Sequence, residues 1–158
     1  MLKDSFISWE SVNCFKEYFD AESSSFKYDY VVGVLNGGAI PASIIAGSLG
    51  VPLYWVQVSS YKDREPGEVL FNNLTVPNLP VGSKVLIVDD IFDTGRTFSV
   101  VSSFLSRKFE VTLKGYVFVS KDMKCVEKGV SYFEFVQKDK WVVFPWEFSS
   151  LLFNKKGV

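Results

Sequence analysis

With 158 residues, 47% of them apolar, and a formal charge of −1, the chain has the size and composition of a single folded domain, and disorder is excluded. No apolar run approaches the ~20 residues of a membrane span, the opening Met-Leu-Lys-Asp-Ser-Phe has no signal-peptide apolar region, and the charge gives no general attraction to nucleic acid. There is no histidine, and Cys14 and Cys125 lack CxxC spacing, which nearly excludes zinc sites and histidine-based triads. The expectation is one cytoplasmic domain over 1–158, without membrane or nucleic-acid partners, both cysteines being buried reduced thiols.

Ser8 is placed to cap a helix from Trp9 to Phe19, with Glu10 in its first turn and Trp9, Val12, Phe15, Lys16 and Phe19 along one side as core or subunit contact. A polar, Ser-rich loop follows over 20–27. Tyr30 to Leu35 is a short apolar run suited to a strand buried on both faces. Asn36-Gly37-Gly38 then turns into a helix from about Pro41 to Leu49, with proline suited to the first turn and Gly50 to the stop. Leu53 to Val58 reads as a strand ended by Ser59-Ser60-Tyr61. The charged stretch from Lys62 to Glu68, broken by Pro66-Gly67, reads as an exposed mobile loop, and 71–80 returns as a short strand.

The stretch from Lys84 to Phe98 carries the most chemistry. Val85 to Val88 forms a buried strand with Asp89 and Asp90 at its carboxyl end. The turn Asp93-Thr94-Gly95-Arg96-Thr97 opens a helix over 97–107, in which Phe98, Val101, Phe104 and Leu105 share a face. Unpaired amides at a helix start favour a phosphate. Gly95 lets the backbone approach closely, and the Thr94 and Thr97 hydroxyls add donors. The paired carboxylates are acceptors for sugar hydroxyls or a divalent cation, magnesium being the natural choice beside phosphates. The implied ligand is a sugar phosphate. Val111 to Val119 and Val130 to Val136 add strands, with Lys121 just past the first, and an aromatic-dense segment runs from Lys140 to Glu147. Two strand, glycine turn, helix units at one sheet edge indicate a doubly wound α/β fold.

The string Val-Leu-Ile-Val-Asp-Asp-Ile-Phe-Asp-Thr-Gly-Arg-Thr closely resembles the phosphoribosyl-diphosphate signature of the type I phosphoribosyltransferases. The resemblance implies that family's α/β fold, a mostly parallel twisted sheet flanked by helices, with a small hood segment and a flexible lid over about 61–72. It implies that Asp89 and Asp90 hold the ribose hydroxyls and that Asp93, Thr94, Gly95, Arg96 and Thr97 cradle the 5′-phosphate. The backbone of Asn36, Gly37 and Gly38 would bind pyrophosphate, although many relatives carry Arg or Lys where this chain has Asn36. Ser60 and Tyr61 would stand at the base of the lid, with Lys62 or Arg64 reaching the diphosphate.

The order Trp141, Val142, Pro145-Trp146, Glu147 resembles the base-recognition segment of xanthine-guanine phosphoribosyltransferases, within a base-recognition region over about 121–147. Trp141 would stack on the purine, Val142 would contact it through the backbone, and Glu147 would serve the 2-position or a metal-bound water. Lys121 would polarise a 6-oxo group and Asp93 would act as general base or electrostatic partner at N7. Magnesium would be held by Asp89, Asp90 and Glu147. The implied reaction joins phosphoribosyl diphosphate to a 6-oxopurine (guanine, xanthine or hypoxanthine), releasing pyrophosphate, in a homodimer or homotetramer. The alternatives are a transferase for another base and a non-catalytic sensor of phosphoribosyl diphosphate.

Overall fold

The computed structural model describes residues 4–60 and 69–147. In chain order the elements are β1 (Asp4–Phe6), α1 (Trp9–Glu22), β2 (Tyr30–Leu35), α2 (Ala39–Leu49), β3 (Leu53–Ser60), β4 (Val69–Leu74), β5 (Lys84–Phe92), α3 (Arg96–Lys108), β6 (Thr112–Ser120), β7 (Val130–Phe135) and β8 (Trp141–Val143). Six strands form the main sheet in the order β4-β3-β2-β5-β6-β7. All neighbours are parallel except the antiparallel pair β3 and β4.

Local sequence explains the helices. The Ser8 hydroxyl accepts from the Ser11 amide at 3.1 Å and starts α1, which buries Val12, Phe15 and Phe19. Gly50, in the left-handed region at φ 65°, ends α2, as the expected stop requires. Arg107 and Lys108 lie in the last turn of α3, where cations oppose the negative end of the helix dipole.

The central strands explain the layers. Side chains alternate across a strand, so β2 sends Val31 to one face and Val32 and Val34 to the other, while β5 divides Leu86 and Val88 from Val85 and Ile87. The first face packs against Phe15 and Phe19 of α1 and Ala42 and Ile45 of α2. The second packs against Val101 and Leu105 of α3. A parallel sheet covered on both sides results, matching the expected fold.

Several boundaries move. The strand expected over Val85–Val88 continues to Phe92, because β6 pairs with it as far as Phe92↔Ser120. Asp89 and Asp90 therefore lie within β5 rather than at its end. The strand expected over 71–80 runs instead from Val69 to Leu74, so the last part of the expected lid belongs to the sheet. Cys125 is buried, but Cys14 is exposed, because it lies off the helical stripe formed by Val12, Phe15 and Phe19. Trp9 is also exposed.

A strand not anticipated from sequence, β1, pairs in parallel with β8 in a separate two-stranded sheet, with Asp4↔Trp141 and Phe6↔Val143 in register. It forms the hood. Below it Phe144 stacks on Trp146 at 4.7 Å, and both rings meet Phe118 of β6 edge-on, which joins the hood to the core.

Candidate active site

From β2 the chain passes to β3 on one side, and the later strand β5 lies on the other. Strand order therefore reverses between β2 and β5. Their carboxyl ends flank the crevice that such a reversal creates, and the two glycine turns meet there.

The turn after β2 is held against β5. The Gly38 amide donates to the Val34 carbonyl at 2.8 Å, the Ala39 amide donates to the Asn36 carbonyl at 3.2 Å, and the Leu35–Asn36 peptide is cis. A β-carbon at Gly38 would lie 2.5 Å from the Val34 carbonyl oxygen and 2.9 Å from that of Val88. At Gly37 it would lie 2.5 Å from Cγ of Asp90. At Gly38 only glycine lets the backbones approach so closely, and at Gly37 an added β-carbon would require the Asp90 carboxylate to move.

The turn after β5 forms the opposite wall. Gly95 stands before α3 at φ 79°, and a β-carbon there would meet the Phe92 ring at 2.5 Å. The Arg96 amide donates to Thr94 Oγ1 at 3.3 Å and the Ser99 amide to the Gly95 carbonyl at 2.9 Å. No acidic residue occupies the first turn of the helix. This is a helix start open to an anion.

Between the walls lies a cavity of about 370 Å³, lined by residues that include Gly37, Asp89, Asp90, Asp93, Thr94, Gly95, Arg96, Thr97 and Glu147. Its volume suits a small ligand. Asp89 and Asp90 are half-buried, and the Asp90 amide donates to Asp89 Oδ1 at 2.9 Å. Burial, reinforced by the neighbouring Asp90 carboxylate, pushes the Asp89 carboxyl well above the usual range; burial also raises Asp90. A cation would offset the charge of the pair, and hydroxyl donors would hydrogen-bond to it.

The phosphoribosyl transferase domain family has a sequence profile that matches residues 14–151. The chain belongs to this family. Phosphoribosyltransferases are also what it resembles individually. A curated xanthine-guanine phosphoribosyltransferase of Idiomarina loihiensis is 29% identical over 147 residues, covering 92% of this chain and 88% of that protein. Among solved structures, a purine phosphoribosyltransferase from Pyrococcus horikoshii superposes with a TM-score of 0.79 at 26% identity, covering 92% of this chain and 94% of that one. The Helicobacter pylori xanthine-guanine-hypoxanthine phosphoribosyltransferase shares the fold, with a TM-score of 0.74 at 16% identity and coverage of 96% and 99%.

Other expected site residues occupy different places around the phosphoribosyltransferase crevice. Asn36 is exposed beside Gly37. Lys121 is buried, its amide donating to the Phe92 carbonyl at 2.8 Å, and it does not line the cavity. Trp141 and Val142 lie on the hood strand β8, outside the lining, with Trp141 60% exposed and Val142 buried. Glu147 does line the cavity, and its Oε2 accepts from the Phe144 amide at 3.0 Å. Among the described residues, no three Asp, Glu, His or Cys side chains gather as a metal-holding group. Asp89, Asp90 and Glu147 therefore share a cavity without forming the expected three-ligand set.

Ser60 ends β3, while Tyr61, Lys62 and Arg64 lie outside the described residues. Two contributors escaped the sequence reading. Phe92 supports the Gly95 turn, and Gln57 Nε2 donates to Asn36 Oδ1 at 3.4 Å. Strand pairing would have located Gln57, since it faces Leu35 in the β2–β3 register.

Proposed function

We propose that this phosphoribosyltransferase transfers the 5-phosphoribosyl group from phosphoribosyl diphosphate to a 6-oxopurine, giving a nucleoside 5′-monophosphate and pyrophosphate. The observation that carries the reading is the pairing of a half-buried acid pair with an open helix start across one crevice. Support for a purine comes from the names of the relatives from Idiomarina and Pyrococcus and from the Trp141–Glu147 segment.

Asp89 and Asp90 accept from the ribose hydroxyls. The 93–97 turn receives the 5′-phosphate through amides and the Thr94 and Thr97 hydroxyls, and the 36–38 turn receives the diphosphate. As diphosphate departs, positive charge develops at the sugar C1′ and the purine N9 attacks. The protein chiefly positions the reactants and stabilises charge. Asp93 takes or balances the proton at N7, Lys121 polarises the 6-oxo group, Trp141 stacks on the base, Val142 contacts it through the backbone and Glu147 serves the 2-position.

The donor set fits magnesium. This ion commonly takes one or two protein carboxylates and completes its octahedron with substrate phosphates and water. Asp89 and Asp90 would hold it, with Glu147 reached through water, and when bound it neutralises charge on the leaving diphosphate. Ser60 and Tyr61 stand at the base of the lid in this reading, and the active form is a homodimer or homotetramer in the cytoplasm.

The deciding experiment supplies phosphoribosyl diphosphate and magnesium with guanine, xanthine, hypoxanthine, adenine and orotate separately, and follows pyrophosphate release. Turnover confined to 6-oxopurines is expected. Turnover with adenine or orotate alone would redirect the base assignment. Binding of phosphoribosyl diphosphate without turnover on any base would favour a sensor.

A further inference from the structure

A second cavity, of about 320 Å³, opens beside the end of α1 and shares no described lining residue with the crevice. The end of α1 supplies Phe19 and Glu22, the segment after it supplies Phe26 and Tyr28, and β6 supplies Lys114 and Tyr116. None of them has a part in phosphoribosyl transfer.

The polar groups of this cavity are unmatched. Tyr116 is only 3% exposed, its ring meets that of Phe19 at 5.0 Å, and its buried hydroxyl has no hydrogen-bond partner among the described residues. Leaving such an atom unpaired is costly, and native sites nearly always supply a partner. Burial, and after it the nearby Glu22 carboxylate, raise the Tyr116 hydroxyl above the usual range and keep it neutral. Glu22 is the last residue of α1, whose final turn holds no basic residue, so its charge adds to the negative end of the helix dipole. Glu22 also serves the Tyr18 hydroxyl, but a carboxylate has acceptor positions to spare. This end of the cavity suits an ammonium group.

The other charge stands over an aromatic wall. Lys114 Nζ lies 4.1 Å from the centre of the Phe26 ring, and Lys84 Nζ lies 5.0 Å from it. Among the described residues, neither Glu22 nor Lys114 takes part in an ion pair. A simple anion would meet Glu22 and a simple cation would meet Lys114, whereas a molecule carrying both charges satisfies both. We propose that this cavity binds a free aromatic α-amino acid, with its ammonium between the Glu22 carboxylate and the Tyr116 hydroxyl, its carboxylate on Lys114 and its ring against Phe26 and Tyr28. Ring contacts of this kind add to the burial of apolar surface.

The test is calorimetric titration of the full chain with three probes that keep the same ring: L-phenylalanine, 3-phenylpropionate, which lacks the ammonium, and phenethylamine, which lacks the carboxylate. L-phenylalanine should saturate one site per chain, and each single-charge analogue should bind about tenfold more weakly, the size of one charge-assisted contact. Glu22→Gln should remove the advantage of L-phenylalanine over 3-phenylpropionate, and Lys114→Met its advantage over phenethylamine. Tyr116→Phe keeps the ring packing and deletes only the unpartnered oxygen. It should weaken L-phenylalanine about threefold to tenfold without lowering the thermal midpoint.

Phosphoribosyl diphosphate with magnesium should leave the L-phenylalanine titration unchanged, because the two cavities are separate. Displacement by it would put the amino acid in the crevice and overturn the proposal. So would the absence of saturable L-phenylalanine binding, equal affinity for all three probes, or wild-type affinity in Tyr116→Phe.

Discussion

Gly37 and Asp90 belong to different strand–turn–helix units, yet they meet so closely that a β-carbon on the glycine would stand 2.5 Å from the carboxylate carbon of the aspartate. The two walls of the crevice are thus built in contact. The Asp90 carboxylate lies against the backbone of the neighbouring turn.

Gly37→Ala should therefore misplace Asp90 rather than merely crowd the turn. A displacement of about 1 Å in a reacting constellation costs on the order of 10²-fold in rate, and overpacking a tight site costs about 1–3 kcal/mol of stability. Steady-state kinetics and a thermal midpoint measure both. An alanine variant with wild-type turnover would show that the contact does not position the acid.

Asp89→Asn tests the electrostatics of the same site. Burial and Asp90 raise the carboxyl in the folded protein, so the folded state holds this proton more tightly than the unfolded chain, where an aspartate titrates near about 3.9. Stability contributed by the protonated form is fully present below that pH and is lost as pH rises through the folded value. Asparagine has no charge to desolvate and keeps the Oδ1 acceptor for the Asp90 amide. Without substrate or metal, the variant should melt higher than wild type at pH 7.5 and match it near pH 3.5, while losing phosphoribosyl transfer. A lower melting temperature at pH 7.5 would contradict this assignment of charge.

Asp93→Asn addresses catalysis separately from binding. Asp93 is exposed and lines the cavity beside the phosphate turn. Loss of a general acid–base group lowers turnover by about 10²-fold or more, whereas affinity for phosphoribosyl diphosphate should change little. Single-turnover rates and equilibrium binding separate the two, and an unchanged rate would remove Asp93 from the chemistry.

Trp141→Ala should dissociate base recognition from stability. The indole is 60% exposed on the hood, so its removal should change stability by no more than about 0.5 kcal/mol. Base stacking on an aromatic ring is worth about 1–3 kcal/mol, so the KM for the base should rise substantially while that for phosphoribosyl diphosphate stays near wild type. Identical base affinity in the variant would end the stacking role.

Much of the phosphoribosyl side of the site was legible because it is local. Asp89 through Thr97 is one continuous string in which a buried strand, an acid pair and a helix start follow one another, and α1 and α2 announce themselves through Ser8 and Gly50. The features that were missed are tertiary. The extension of β5 to Phe92 depends on pairing with β6, β1 is a three-residue strand whose partner lies near the far end of the chain, and Gln57 gains its role only when β3 is laid beside β2. Cys14 illustrates the opposite error: composition favoured burial, whereas its position on α1 placed it outside the buried stripe.

The hood sheet gives the molecule an order of assembly. Every strand of the six-stranded sheet is complete by Phe135, whereas β8 begins at Trp141 and finds its sheet neighbour among residues 4–6. The six-stranded sheet can therefore form without the hood pairing, which joins two segments far apart in sequence. The hood then closes by a contact between distant segments, whose loop-closure entropy is already reduced by the folded core between them.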